Sequence, residues 1–238
     1  MDGPAEPPQA QEESVSAPSK RRDWMEIGVA YALILAVEWT PRPWQQLLWL
    51  VAAAVVVFIL FRSFDGWAAL GLRVANFGRS LWIVGAALVL AGLAIGCAAR
   101  MHTLLVVDGP WALPETFGAY ALWTGVQQFL LQGFFLLRLL RVMPRPWQAV
   151  LAAALLFAAA HVPNPFLIPA TLIWGFVACL LFLRYRNLYP LMMAHAILGI
   201  TVAITVPGPV VHNMRVGLAY LTYYPHMHAP HMHLLSQP

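Results

Sequence analysis

The chain has 238 residues, 61% of them hydrophobic and only 10% charged, with a net charge of +4. A soluble domain carries roughly 25% charged residues, so the composition excludes an ordinary soluble fold. The basic surplus lies in short loops between apolar runs, which membrane topology explains better than nucleic-acid binding.

Residues 1–22 are rich in Pro, Glu, Ser and Gln and end in Lys20-Arg21-Arg22. They read as a disordered cytoplasmic tail. They do not read as a signal peptide, because no apolar core with a small-residue cleavage site comes first. A transmembrane helical domain over 23–206 follows. A bilayer core takes about 20 apolar residues per helix. Candidate spans lie at 24–41, 44–62, 80–99, 116–140, 147–162, 166–184 and 188–206. The expected fold is therefore all-α, a multi-pass transmembrane bundle of about seven spans. Residues 63–79 are expected at the cytoplasmic interface. Residues 207–238 are expected as a C-terminal surface segment followed by a His/Met-rich tail over 226–233, a composition suited to Cu or Ni but equally to a plain surface tail.

Cytoplasmic loops carry the excess of Lys and Arg. With the N-terminus inside, the inner segments hold 11 basic residues and the outer ones hold Arg42, Arg100 and Arg215. This predicts a cell (inner) membrane protein with a cytoplasmic N-terminus and an external C-terminus. No pair of broken helices in matching positions argues for a transporter. Cys97 and Cys179 fall within apolar segments and read as small buried side chains.

Polar groups inside a bilayer are costly and tend to be functional. Gln127, Gln128 and Gln132 lie together in one otherwise apolar span. Gln128 and Gln132, four apart, share a helix face, and Gln127 is turned away by about 100°. Phe157-Ala158-Ala159-Ala160-His161 ends the next span, with Phe157 and His161 on one face, and Val162-Pro163-Asn164-Pro165 stops the helix. His195 lies between alanines in a third span, with Gly199 one turn later. Each group alone reads as interhelical hydrogen bonding. Three spans carrying them together suggest a shared polar site, and neutral imidazole can orient water, carry a proton or bind zinc.

In this order and spacing the stretch 116–205 resembles the CPBP family of intramembrane proteases, which includes CAAX prenyl endopeptidases of type II and bacteriocin-processing proteins. That family carries Glu-Glu-x-x-x-Arg, then Phe-x-x-x-His, then His-x-x-x-Asn/Asp on separate helices. Phe157 and His161 fit the second motif and His195 opens the third. Gly199 stands where Asn or Asp is expected, Gln127 and Gln128 occupy the two Glu positions, and Gln132 the Arg position. The resemblance implies an endopeptidase acting on a membrane-associated peptide or protein. It places Gln127, Gln128, His161 and His195 at catalytic positions and Gln132, Phe157, Asn164 and Gly199 around them.

A primary amide cannot accept a proton as a carboxylate does. The changes leave an uncharged network, as expected either of an enzyme whose base comes from elsewhere or of a pseudoprotease that binds its client without cutting. A small-molecule transporter or carrier is the third alternative. No carboxylate follows Glu115. Glu115 lies about 18 Å from Gln127 along a helix, so Glu38 is the replacement acid to consider. No cofactor is implied; zinc is poorly served by two histidines, since catalytic zinc usually has three protein ligands. One tension stands out. Counted from the inner span boundaries, His195 lies about 10 Å deep and His161 about 20 Å, yet a shared site needs both at one level.

Overall fold

The computed structural model of the protein describes residues 17–64, 66–105 and 111–223. The rest of the expected tail (1–16), Asp65 and the His/Met-rich cluster at 226–233 lie outside the described residues. The described residues form an all-helical bundle: α1 (Ala17–Trp39), α2 (Trp44–Arg62), α3 (Phe77–Ser80), α4 (Trp82–Arg100), α5 (Ala112–Gln128), a π-helical segment (Phe129–Leu136), α6 (Leu137–Val142), α7 (Pro146–Ala159), α8 (Leu167–Tyr185), α9 (Tyr189–Thr205), α10 (Gly208–Val211), a 3₁₀ turn (His212–Met214) and α11 (Gly217–Leu221). Each expected span has its helix. The span expected at 116–140 is composite, since α5, the π segment and α6 run on without a break.

The bundle is apolar outside as well as inside. Phe61, Leu122 and Ile173 are 76%, 77% and 67% exposed on its surface. In water such a surface would drive association; against lipid tails it is the ordinary solvent face. Among the described residues three helical stretches are long and apolar enough to cross a bilayer alone: Trp44–Arg62, Phe77–Arg100 and Leu167–Tyr185. α7 and α9 are shorter apolar helices. α7 ends at the buried polar turn that carries His161.

Small residues set the packing. α7 lies along α8, with Ala154 and Ala158 facing Gly175, Ala178 and Cys179 in the core. A Cβ on Gly175 would come within 3.1 Å of the Phe157 ring and 3.5 Å of Ala154 Cα, so glycine permits this approach. α9 packs against both α4 and α5, and α1 against α2 and α6.

Residues 17–22, expected to be disordered, form the first turns of α1. Ion pairs account for the difference: Arg22 bonds Glu26 at 2.7 Å, and Arg141 of α6 grips Asp23 through two hydrogen bonds at 2.6 and 2.9 Å. At the same end the 63–79 loop is stitched to the α8–α9 turn. Arg73 and Asn76 donate to the Tyr185 carbonyl, and Asn187 donates to Arg73 O and Asn76 Oδ1, each at 3.0 Å.

At the other end, residues 207–222 were expected at the outer surface. They fold back across the bundle as α10, the 3₁₀ turn and α11, with Val211 buried. Asn164 donates to Val211 O at 2.9 Å and Arg215 O at 3.1 Å, and Gly217 N donates to Val162 O at 2.9 Å. Gly217 has φ +55°, and a Cβ there would lie 2.9 Å from Glu38 Cβ. Both the backbone and the space call for glycine. Gly217→Ala is expected to cost about 1–3 kcal/mol through strain and overpacking. Thermal unfolding in detergent checks this: a clearly lowered midpoint is expected, and an unchanged one would mean that α11 does not pack on α1.

Candidate active site

α5 and the π segment carry the three glutamines and separate them. Gln127 is half-buried and lines a cavity of about 890 Å³ in the bundle. Gln128 and Gln132 are fully buried, do not line that cavity, and have no hydrogen-bond partner among the described residues for either amide atom. The 100° turn between neighbours explains why Gln127 faces the cavity and Gln128 the packed interior. The π winding that starts at Phe129 was not visible in the sequence. π segments are rare and gather at functional sites.

His161 lies two residues beyond the end of α7, in the turn that leads to α8. Its Nδ1 is 2.7 Å from the Phe157 carbonyl oxygen. That oxygen can only accept, so Nδ1 carries the proton, and in the neutral ring Nε2 is the lone-pair nitrogen. The Phe157 ring stands edge-on to both imidazoles, 4.9 Å from His161 and 5.9 Å from His195, centroid to centroid. The two histidines therefore converge, whatever their separate distances from the helix starts. α7 and α9 must begin at different levels or tilt for this to hold. Among the described residues His195 Nδ1 is buried without a hydrogen-bond partner, and Trp174 lies beside the ring at 5.9 Å.

His161, His195, Phe157, Gly199 and Gln127 line one cavity. Glu38, at the end of α1, lines it too, and among the described residues it is the only acid that does. The remaining wall is mostly aliphatic and aromatic, from α1, α2, α4, α5, α8 and α9. Asn213, Met214 and Val216 of the C-terminal fold-back cover its Glu38 end.

Asn164, expected as a binding residue, is occupied elsewhere. Its side chain is fully buried, donates twice to the fold-back, and accepts from Phe166 N at 3.1 Å and Leu167 N at 3.0 Å, capping the start of α8. All its capacity is used in holding the turn that presents His161. Gln132 likewise lies away from the cavity. Sequence reading passed over Tyr120, seven residues before Gln127 and so on the same face of α5, which also lines the cavity. Among the described residues no three His, Cys, Asp or Glu side chains gather as a metal site.

An aliphatic cavity inside a membrane bundle, with two imidazoles, two amides and one carboxylate on its wall, can take an extended chain and hold a water against it. Residues 109–201 match a protein-family model described as type II CAAX prenyl endopeptidase Rce1-like. No curated protein and no solved structure matches the chain. The stretch that matches, less than half of the chain, carries Gln127, Phe157, His161, His195 and Gly199, and over it the chain is similar to the CAAX-type intramembrane proteases.

Proposed function

We propose that this protein is an intramembrane endopeptidase that takes a membrane-associated peptide or protein segment into the cavity between α1, α5, α7 and α9, with Glu38 as its general base. One observation carries the reading: a carboxylate from α1 lines the same cavity as the two imidazoles. The bilayer brings the client to the protein, and the 11-to-3 distribution of basic residues supports a cytoplasmic N-terminus in the cell (inner) membrane.

In this reading Glu38 takes the proton of a water as its oxygen bonds to the peptide carbonyl carbon. His161 Nε2 and His195 orient that water and the carbonyl. The tetrahedral intermediate then collapses, the C–N bond breaks, and the proton on Glu38 passes to the leaving amine. Gln127 orients the chain by hydrogen bonding and moves no proton.

A second reading is a client-binding pseudoprotease. It is favoured by Gln128 and Gln132, which put neutral, sealed amides where the family has charge. Purified protein in liposomes, screened against prenylated and unprenylated CAAX peptides and other short peptides, decides between the two. The first reading expects cleavage by the wild type, reduced at least about 100-fold in both His161→Ala and His195→Ala. Binding without cleavage, with turnover appearing in the Gln127→Glu/Gln128→Glu double variant, would replace it with the second.

A further inference from the structure

Gly199 falls one helical turn after His195, so both face the cavity from α9. Glycine here is not empty space. A Cβ on Gly199 would collide with the Tyr120 hydroxyl and lie 2.9 Å from two carbons of its ring. The phenol of α5 thus fills the volume that any side chain at position 199 would need. A phenol is also a hydrogen-bond donor, and a carbonyl can use one. The Tyr120 hydroxyl makes no hydrogen bond to the described residues, although the ring packs against α9 and lines the cavity. The phenol is half-buried, and its oxygen lies against Gly199, one turn from His195, on the wall of the cavity.

We propose that the Tyr120 hydroxyl is the donor that binds the oxygen of the peptide carbonyl attacked in this cavity, and that Gly199 is the residue that makes room for it. The inference rests on the peptidase reading above. The hydroxyl keeps its proton throughout. It donates a hydrogen bond that strengthens as the carbonyl oxygen gains negative charge on water attack. Gln127, on the same face of α5, would hold the chain on the far side of that carbonyl.

The test compares Tyr120→Phe, Gly199→Asn and the double variant Tyr120→Ala/Gly199→Asn with the wild type, on whichever peptide of the panel the wild type cleaves best. Phenylalanine keeps the ring against Gly199 and removes only the donor. Tyr120→Phe is expected to lower kcat by about 10²–10³-fold with KM nearly unchanged, the mark of an interaction made in the transition state. Gly199→Asn alone is expected to fail by collision with the phenol. The double variant, which returns a polar side chain to α9 and clears its space, is expected to recover part of that loss. Tyr120→Phe with wild-type kcat would overturn the assignment while leaving the peptidase reading intact. A joint rise in KM and fall in thermal midpoint, with kcat unchanged, would reduce Tyr120 to a packing residue. A wild type that cleaves none of the peptides would remove the peptidase reading, and this inference with it.

Discussion

Glu38→Gln is expected to lower cleavage by about 10²–10⁴-fold, the usual worth of a general base, while peptide binding changes little. Glutamine keeps the size and hydrogen-bonding reach of the side chain and loses only the ability to take a proton. The contrast with Glu115→Gln makes the result specific, since Glu115 is exposed at the start of α5 and does not line the cavity. Both variants should unfold at the wild-type temperature. Equal cleavage by Glu38→Gln and wild type would remove Glu38 from the mechanism. Loss of binding along with cleavage would make it a client-anchoring group instead. Because α11 packs directly on Glu38, a variant that disturbs Gly217 should also depress turnover, through displacement of the α1 end.

The second large effect is on stability. Arg138 lies at the end of the composite helix, with its side chain 3% exposed. Its Nε donates to Glu26 at 2.9 Å and its Nη2 to Ser63 at 2.9 Å, while the guanidinium sits 3.9 Å over the Phe134 ring. One side chain therefore ties α1, the end of α2 and the π segment together. Breaking a buried pair by removing one partner typically costs about 3–5 kcal/mol, because the other charge stays buried. Arg138→Met should lower stability by that order, read as the midpoint of denaturant or thermal unfolding in detergent. Glu26 keeps Arg22 at 2.7 Å, which places the expected loss toward the lower end. The double variant Arg138→Met/Glu26→Gln should lose less than Arg138→Met alone, since no buried charge is then left stranded and Arg22, which also loses Glu26, is exposed. A double variant as unstable as the sum of the singles would mean that the pair contributes little and that the packing of the Arg138 stem matters more.

Most of the architecture could be read from the chain. Apolar runs bounded by Arg, Pro and Trp marked the seven expected spans, each of which is helical among the described residues, and for α2 the run and the helix share their ends at Trp44 and Arg62. Hydropathy marks the apolar helices, and in this bundle both the core and much of the outer surface are apolar. Neighbours and winding were not legible. An α and a π segment of the same leucines and phenylalanines differ only in which carbonyl each N–H finds, and composition does not encode that choice directly. The fold-back of 207–222 was hidden for a similar reason. Its anchors are the Asn164 amide and the backbone at Val162, long-range partners with no periodic signature.

The candidate site was legible in part. His161 and His195 stood out as a set, because two imidazoles and a glutamine cluster on three separate apolar spans exceed what interhelical hydrogen bonding needs, and Phe157 joined them by spacing. Asn164 stood out for the same polarity, yet its four hydrogen bonds are all internal. Tyr120 escaped because an aromatic near the end of a span passes for an interfacial belt residue, and only its collision course with Gly199 reveals it.

The π segment has one further consequence. In an uninterrupted α-helix each residue is locked to the next at about 100°, so the direction of Gln127 would fix that of Arg138. Eight residues wound to a wider turn break that arithmetic, as a slipped tooth changes the timing between two gears on one shaft. The half of the helix that faces the cavity and the half that faces the ion pairs are thus set to different phases. A lineage could gain or lose a residue between them and re-aim one half, leaving the other where it was.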